Sequence, residues 1–276
     1  MTNDDVAHEA FRDFEHRAWQ SVVRLYEDYF GELTAQSVGP LLDAVKLQPG
    51  EALLDVATGP GYIAAAAARR GAKSTGLDFS SAMLDQARAL HPELYFCEGD
   101  AGILPFPDAS FDVVVTGFGI LHFPDPDRAL REACRVLRAG GRFGLSVWAD
   151  PGKAAGFGIV MRAVEKYGTR NARLPDGPAF FRFSDPVQCT DAIVAAGFQN
   201  TTIVEVPQVW RFASAAAFFD GISISTVRTA ALLRAQSAQD LANIRAQVEQ
   251  EANRYRERDG TIALPMPALV ASAHKA

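Results

Sequence analysis

Three acids and a glycine turn carry the chemistry that this sequence could do. Asp55 ends an apolar run, and Gly59 and Gly61 follow four and six positions later, as D-x-x-x-G-x-G. Glycine is needed where backbone must approach a ligand or take a positive φ. The helix start after such a turn presents free N–H groups. Asp78 and Asp100 follow, each just past a short apolar run. Gly59-x-Gly61-x-x-Ala64 matches the dinucleotide fingerprint, with Asp78, 17 residues beyond Gly61, available to a ribose hydroxyl. Asp55 points elsewhere. A carboxylate four residues before the turn would face a pyrophosphate with like charge, whereas it suits an ammonium or a sulfonium.

Four ordered stretches extend the pattern: LLDVATGPG (53–61), GLDFS (76–80), EGDAGILPFPDASFD (98–112) and VLRAGGRF (136–143). Over residues 53–148 the chain resembles the class I methyltransferases that use S-adenosyl-L-methionine (SAM), in particular small-molecule enzymes of the ubiquinone and menaquinone methyltransferase type. The resemblance implies a Rossmann-like doubly wound α/β sheet, mostly parallel with an antiparallel edge strand, plus helical lid insertions. It implies SAM as cofactor and S-adenosyl-L-homocysteine (SAH) as product. Ala57 stands where many members have the first glycine. By resemblance, Asp78 binds both ribose hydroxyls, Asp100 accepts from the adenine amino group, and Ala101 offers a backbone N–H. Gly117 and Phe118 lie at the cofactor's methionine end. Phe79 and Met83 suit the walls of a flat, polarizable ring, and they also suit plain core packing. Tyr26 or Tyr29 would close over the methionine end, or else pack a helix on the sheet.

Methyl transfer from a sulfonium is an in-line displacement with a good leaving group, so alignment matters most. A base is needed only where the acceptor loses a proton early. His122, in GFGILHFPDP (117–126), is the candidate; many relatives carry two adjacent histidines there, and this chain has Leu121 in the first position. The alternative is a structural histidine bonding a loop carbonyl. Asp125 and Asp127 read as a helix N-cap region rather than a metal site. Arg182, in FFRF (180–183), suits an acid on the acceptor or a surface carboxylate. No metal is expected.

Alternating strands and helices must position these groups. Apolar runs at 52–57, 73–77, 94–97, 111–116 and 142–148 read as strands. Helices are expected over 62–70, 81–90 and 125–137. Before them, apolar spacing predicts a helix over 5–30 and another over 34–45. After them come a helix over 185–197, a strand over 201–212, a long helical stretch over 213–258 and a last strand over 261–272. Pro265 and Pro267 suit that last strand to a sheet edge. The expected organisation is a single domain over 1–276. It comprises a helical cap (1–46), the cofactor core (47–150), lid insertions (151–184 and 213–259), and a C-terminal helix and edge strands (185–212 and 260–276). The aromatics of the insertions predict an apolar or aromatic small-molecule acceptor, though they would equally anchor the inserts to the core.

The net charge of −6 and the lack of a basic block argue against a nucleic-acid partner. Cys97, Cys134 and Cys189 form no metal-binding spacing and suit a reducing compartment. The charged N-terminus and the absence of a long apolar run predict a cytoplasmic protein without a membrane partner, as a monomer or homodimer. Two other function classes fit part of the pattern. One is a non-catalytic SAM- or SAH-binding protein. The other, an NAD-dependent oxidoreductase, rests on Gly59, Gly61 and Ala64 alone.

Overall fold

The computed structural model describes residues 3–169 and 174–276, with side chains from residue 8 onward. Residues 170–173 of the expected 151–184 insertion lie outside the described residues. A seven-stranded sheet runs in the order β3-β2-β1-β4-β5-β9-β6. Its strands are β1 (Ala52–Val56), β2 (Lys73–Asp78), β3 (Tyr95–Glu98), β4 (Phe111–Gly117), β5 (Leu137–Trp148), β6 (Phe198–Val206) and β9 (Ala268–Lys275). The remaining two, β7 (Val209–Phe212) and β8 (Ile262–Pro265), form a separate ribbon. β1 pairs in parallel with both β2 and β4, so the chain reverses direction across the sheet between β1 and β4. Open α/β sheets bind ligands at the carboxyl ends of the strands flanking such a point.

The core strands are apolar on both faces because helices cover both. The helices are α1 (Asn3–Ser21), α2 (Val23–Tyr26), α3 (Glu32–Ala35), α4 (Val38–Ala44), α5 (Tyr62–Arg69), α6 (Ser81–Leu90), α7 (Pro126–Val136), α8 (Ala155–Tyr167), α9 (Pro186–Ala195), α10 (Ala215–Ser225), α11 (Arg228–Arg234) and α12 (Ala238–Ala252). Leu53, Val113 and Val115 face α4 and α5, packing on Leu41, Val45 and Ala67. Leu54, Val56 and Val114 face the other way, into a core that α7 and α9 fill with Leu130, Val136 and Ile193. The alanines of α5 serve close approach: Ala64, Ala65 and Ala67 are buried where the helix lies on the sheet.

The fold class is the expected doubly wound, mostly parallel sheet with an antiparallel strand toward its edge, though several elements divide differently. β9 is antiparallel to both β5 and β6 and is enclosed between them, so the last strand is not the outermost. Pro265 ends β8, in the two-stranded ribbon, whereas Pro267 marks a switch between sheets, as does Pro207. Pro207 separates β6 from β7, and Pro267 separates β8 from β9; lacking N–H groups, they interrupt both ladders at one level and send each half to a different sheet. The 5–30 helix breaks at Val22 and continues as α2 and a π-turn over Glu27–Gly31. The 213–258 stretch divides into α10, α11 and α12, with Ser214 and Ser237 capping the first and last. No single helix among the described residues is long and apolar enough to cross a membrane.

Candidate active site

The turn after β1 is held by its own acids. Asp55 Oδ2 accepts from the Thr58 hydroxyl at 2.6 Å and from the Ala64 N–H at 3.1 Å, tying the strand end to the first turn of α5. Asp78, at the end of β2, accepts from Gly59 N–H at 2.8 Å and from Ser80 N–H at 2.9 Å. The turn takes positive φ at Ala57 (57°), Gly59 (52°) and Gly61 (86°). A Cβ on Gly59 would meet nothing within 4 Å, because that face opens into a cavity.

The cavity measures about 960 Å³ and lies at the carboxyl ends of β1, β2 and β4. Ala57, Gly59, Asp78, Phe79, Met83, Asp100, Ala101, Gly117 and Phe118 all line it, as does His122. Asp55 and Gly61 do not. Asp55, expected to face a bound cation, is fully buried beneath the turn and does not line the cavity; two donors hold its Oδ2, and its Oδ1 has no partner among the described residues. Gly61 begins α5 and packs toward Phe96 and His91, away from the cavity.

Burial pushes the Asp55 carboxyl up to about 7, against the Thr58 and Ala64 hydrogen bonds. Burial likewise raises Asp78 to about 6, against three backbone donors. Asp100 accepts from Gly102 N–H at 2.7 Å and sits 3.5 Å from Arg12 of α1. The helix α1 lies across the cavity mouth. Besides Arg12 on Asp100, its His16 meets Phe79 edge-on at 5.3 Å, and Gln20 hydrogen-bonds the start of α6.

A polar recess of about 50 Å³ sits beneath the turn, bordered by Tyr26, Gly59, Tyr62, Gly117 and Ser146. Ser146 Oγ, on its border, is buried with no hydrogen-bond partner among the described residues; Asp55 Oδ1 and Thr116 Oγ1 are likewise buried and unpartnered but do not border the recess. Tyr26 donates to Thr34 at 3.2 Å, and burial raises its phenol to about 12, so it stays neutral. Tyr29, the other candidate, stacks on Phe212 instead and does not line the cavity.

Beyond Gly117 the cavity becomes aromatic. Phe118, at φ 58°, stacks on Trp148 at 4.1 Å; Phe157, Phe180 and Phe181 continue the wall. A large residue in the left-handed region is strained, and such strain concentrates at functional sites. His122 ends the short 3-10 turn after β4, and its Nδ1 lies 2.9 Å from Glu15 Oε2. Its partner is a carboxylate, not a loop carbonyl. Asp125 caps α7 through the Arg128 N–H at 2.8 Å. Asp127 engages Arg182 with two 2.8 Å contacts, so Arg182 meets a carboxylate of this chain.

Sequence reasoning missed Glu15. It sits four residues after Phe11, on the inward face of α1, and that register was the available signal.

These features fit an adenosyl sulfonium. Asp78 and Asp100 bring carboxylates able to accept from hydroxyl and amino groups, and Phe79 and Met83 line the same cavity with apolar side chains. The recess offers the unpaired Ser146 hydroxyl to an amino-acid tail. No group of side chains able to hold a metal ion occurs among the described residues.

Known proteins agree. Residues 54–145 match the family model described as a methyltransferase domain. A demethylmenaquinone methyltransferase of Renibacterium salmoninarum is 39% identical over 111 residues, which is 40% of this chain and 47% of that protein. The chain thus matches about half the length of this curated relative. Among solved structures, a phosphoethanolamine N-methyltransferase of Haemonchus contortus, in complex with phosphomonomethylethanolamine and SAH, superposes with a TM-score of 0.57. It is 19% identical, and the match covers 96% of this chain and 60% of that one. The [4+2]-cyclase SpnF superposes with a TM-score of 0.52 at 22% identity, covering 87% of this chain and 80% of that one. Likeness at that level shows the fold alone. Residues 54–145 form a methyltransferase domain of the class I, SAM-dependent type, similar to that of the demethylmenaquinone methyltransferases.

Proposed function

We propose that this chain transfers the methyl group of SAM to a small apolar or aromatic acceptor. One observation carries the reading: a single cavity joins the acids at the ends of β2 and β3 to the aromatic chamber beyond Gly117. About 960 Å³ is near the upper end for a small-molecule site, and leaves room for an acceptor beside the cofactor.

When bound, SAM supplies an electrophilic methyl on a positively charged sulfur. The chain's residues do the rest by placement. Asp78 would take the ribose hydroxyls while still holding Gly59, so the ligand and the turn share one carboxylate. Asp100 and the Ala101 backbone would read the adenine edge, with Phe79 and Met83 against its faces. The recess under Gly59 and Gly117 would hold the methionine tail. Asp55 acts indirectly, by fixing the turn. Placement of two reactants is worth roughly 7–11 kcal/mol of barrier.

The cap (1–46) and the insertions (151–184 and 213–259) supply the acceptor side. Trp19, Phe157, Phe180 and Leu232 line the cavity from these three segments. The unpaired cysteines Cys97, Cys134 and Cys189 suit a reducing, cytoplasmic setting.

Calorimetry with SAM, SAH and NAD tests the cofactor. Binding of SAM and SAH without NAD is expected, and binding of NAD alone would overturn the reading. Incubation of a metabolite extract with methyl-labelled SAM tests turnover. Tight SAM binding with no labelled product would make the chain a binding protein.

A further inference from the structure

The cavity wall near Phe118 contains a charged cluster that the cofactor motifs leave unused. Glu15, fully buried on α1, accepts three side-chain donors. His122 Nδ1 lies 2.9 Å and Trp19 Nε1 3.2 Å from its Oε2, and Arg228 Nε lies 2.9 Å from its Oε1. Arg228 also donates to the carbonyls of Pro178 and Leu121, at 2.9 and 2.8 Å. The carboxylate is therefore fixed from α1, the turn after β4 and α11. Burial works to raise the Glu15 carboxyl, but His122 and Arg228 prevail and hold it below the usual carboxylate range.

A buried carboxylate needs a compensating cation, and Arg228 already provides one. The carboxylate is therefore balanced without a charge on the His122 ring, and in the neutral ring the contact fixes the tautomer. With Nδ1–H donating to Glu15, Nε2 carries the lone pair. His122 lines the cavity, and its Nε2 has no hydrogen-bond partner among the described residues. The charged groups facing the ring are Glu15 from α1, Arg228 from α11 and Asp78 from β2.

We propose that His122, oriented by Glu15, removes the proton from an aromatic hydroxyl as that oxygen is methylated, so that the acceptor is a phenol. This deepens the methyltransferase reading and rests on it. The acceptor O–H bond breaks and its proton passes to His122 Nε2. The oxygen's electron pair forms the new O–CH₃ bond. The S–CH₃ bond breaks with its pair left on sulfur, giving neutral SAH. The positive charge lost by sulfur ends on the imidazolium, beside Glu15.

A phenol is the hydroxyl acceptor that most needs this pair. With an ordinary pKa of about 10, only about one molecule in a thousand is ionised at pH 7. The surroundings suit its ring: Trp19 and Phe180 stand edge-on to His122 at 4.9 and 5.9 Å, and the Phe118–Trp148 stack lies nearby. Glu15 is a positioning residue; His122 is the group that would touch the acceptor.

The test uses the full chain loaded with SAH, with 2-naphthol and its methyl ether as probes. Failure of SAH to bind would sink the methyltransferase reading itself and is seen separately, by calorimetry. With SAH bound, histidine ¹⁵N spectra should show His122 protonated at Nδ1. 2-Naphthol should bind at least ~10-fold tighter than its methyl ether, a typical gain for a hydrogen bond to a buried partner, and His122→Ala should erase the preference. With SAM, His122→Ala should methylate 2-naphthol at least ~100-fold more slowly, and recover as pH rises through the naphthol's own ionisation. Glu15→Gln should lower kcat with KM little changed, and Glu15→Asp should restore part of it. A proton on Nε2 in the wild-type protein would overturn the proposal, and that result needs no variant to fold. So would equal or absent binding of the two probes, or an unchanged rate in His122→Ala.

Discussion

The N–H of Gly59 donates to Asp78 Oδ2 at 2.8 Å, so the glycine turn and the second acid form one unit. Burial raises Asp78 to about 6 and Asp55 to about 7, both above the ordinary carboxylate value. An acid raised in the folded state holds its proton there after the unfolded chain has lost its own. Between about pH 4 and pH 7 the folded state binds more protons, so this contribution to stability falls as pH rises and is flat above that window. Ligand hydroxyls and a cation favour the ionised carboxylates, so binding should release protons. SAH affinity should therefore rise from pH 5 to pH 7, by up to ~10-fold per pH unit for each group that ionises. Calorimetry at pH 6 in buffers of different ionisation enthalpy reads the released protons. In Asp78→Asn both the release and the affinity should drop, and an affinity that does not change with pH would exclude this coupling.

Ala57 and Gly119 compete for the same space. A Cβ on Gly119 would lie 2.5 Å from Ala57 Cβ and 2.7 Å from Thr116 Oγ1. Ala57 also holds φ 57°, which costs an L-residue roughly 1–2 kcal/mol. Glycine there relieves that strain and gives back about 0.5–1 kcal/mol through the unfolded chain. Ala57→Gly should thus leave stability equal or slightly higher. Gly119→Ala alone should lose about 1–3 kcal/mol by overpacking. In the Ala57→Gly background that loss should shrink by at least ~0.5 kcal/mol, the size of a contact coupling. Thr116 keeps the rescue incomplete. Urea midpoints of the four proteins measure this, and strict additivity would disprove the shared space.

The core strands were legible because both faces of β1 and β4 are buried, which turns each into a continuous apolar run. Asp78 and Asp100 were legible for a related reason, since strand ends at a switch point face the ligand. The direction of Asp55 was not. Spacing placed its carboxylate at a strand end, but Ala64 N–H, nine residues on, decides which side of the turn it takes. Glu15 was hidden within a charged helix, and its partners His122 and Arg228 are 107 and 213 residues away. No local pattern reaches that far. Pro267 was visible as an interruption, but Pro207 lay inside a single expected strand over 201–212, and no local signal showed that the two interrupt paired strands at one level and divide each between two sheets.

Gln20 ties α1 to the start of α6. Its Oε1 accepts from Ala82 N–H at 2.9 Å, and its Nε2 donates to Ser81 Oγ at 3.0 Å. It thus adds to the cap already made by Ser80, whose hydroxyl accepts from Met83 N–H at 3.3 Å. Gln20→Ala should cost about 0.5–2 kcal/mol, as loss of a cap does. Amide exchange in the described part of α1 should quicken, and SAH should dissociate several-fold faster. Arg12→Ala is the control for stability: its ion pair with Asp100 is half exposed, so less than about 1 kcal/mol should change. Unaltered exchange in α1 after Gln20→Ala would show that the contact does not hold the helix.

Phe157 and Phe180 are neighbours in the aromatic wall, 5.9 Å apart, yet their removal should have different consequences. Phe157 is 5% exposed and meets Trp148, Phe180 and Phe181 edge-on. Phe157→Ala should leave a void in the core and cost about 3–5 kcal/mol. Phe180 is only partly buried and borders the cavity beside His122, with the Arg228 guanidinium 5.4 Å from its ring. Removing that ring takes surface from the chamber rather than from the core. Phe180→Ala should lower the melting temperature less than Phe157→Ala, keep SAH affinity, and weaken binding of an aromatic probe such as 2-naphthol to the SAH complex. Thermal unfolding and calorimetry on the two variants separate the effects. Equal loss of stability in both would mean that Phe180 anchors the insertion to the core, and that the chamber wall lies elsewhere.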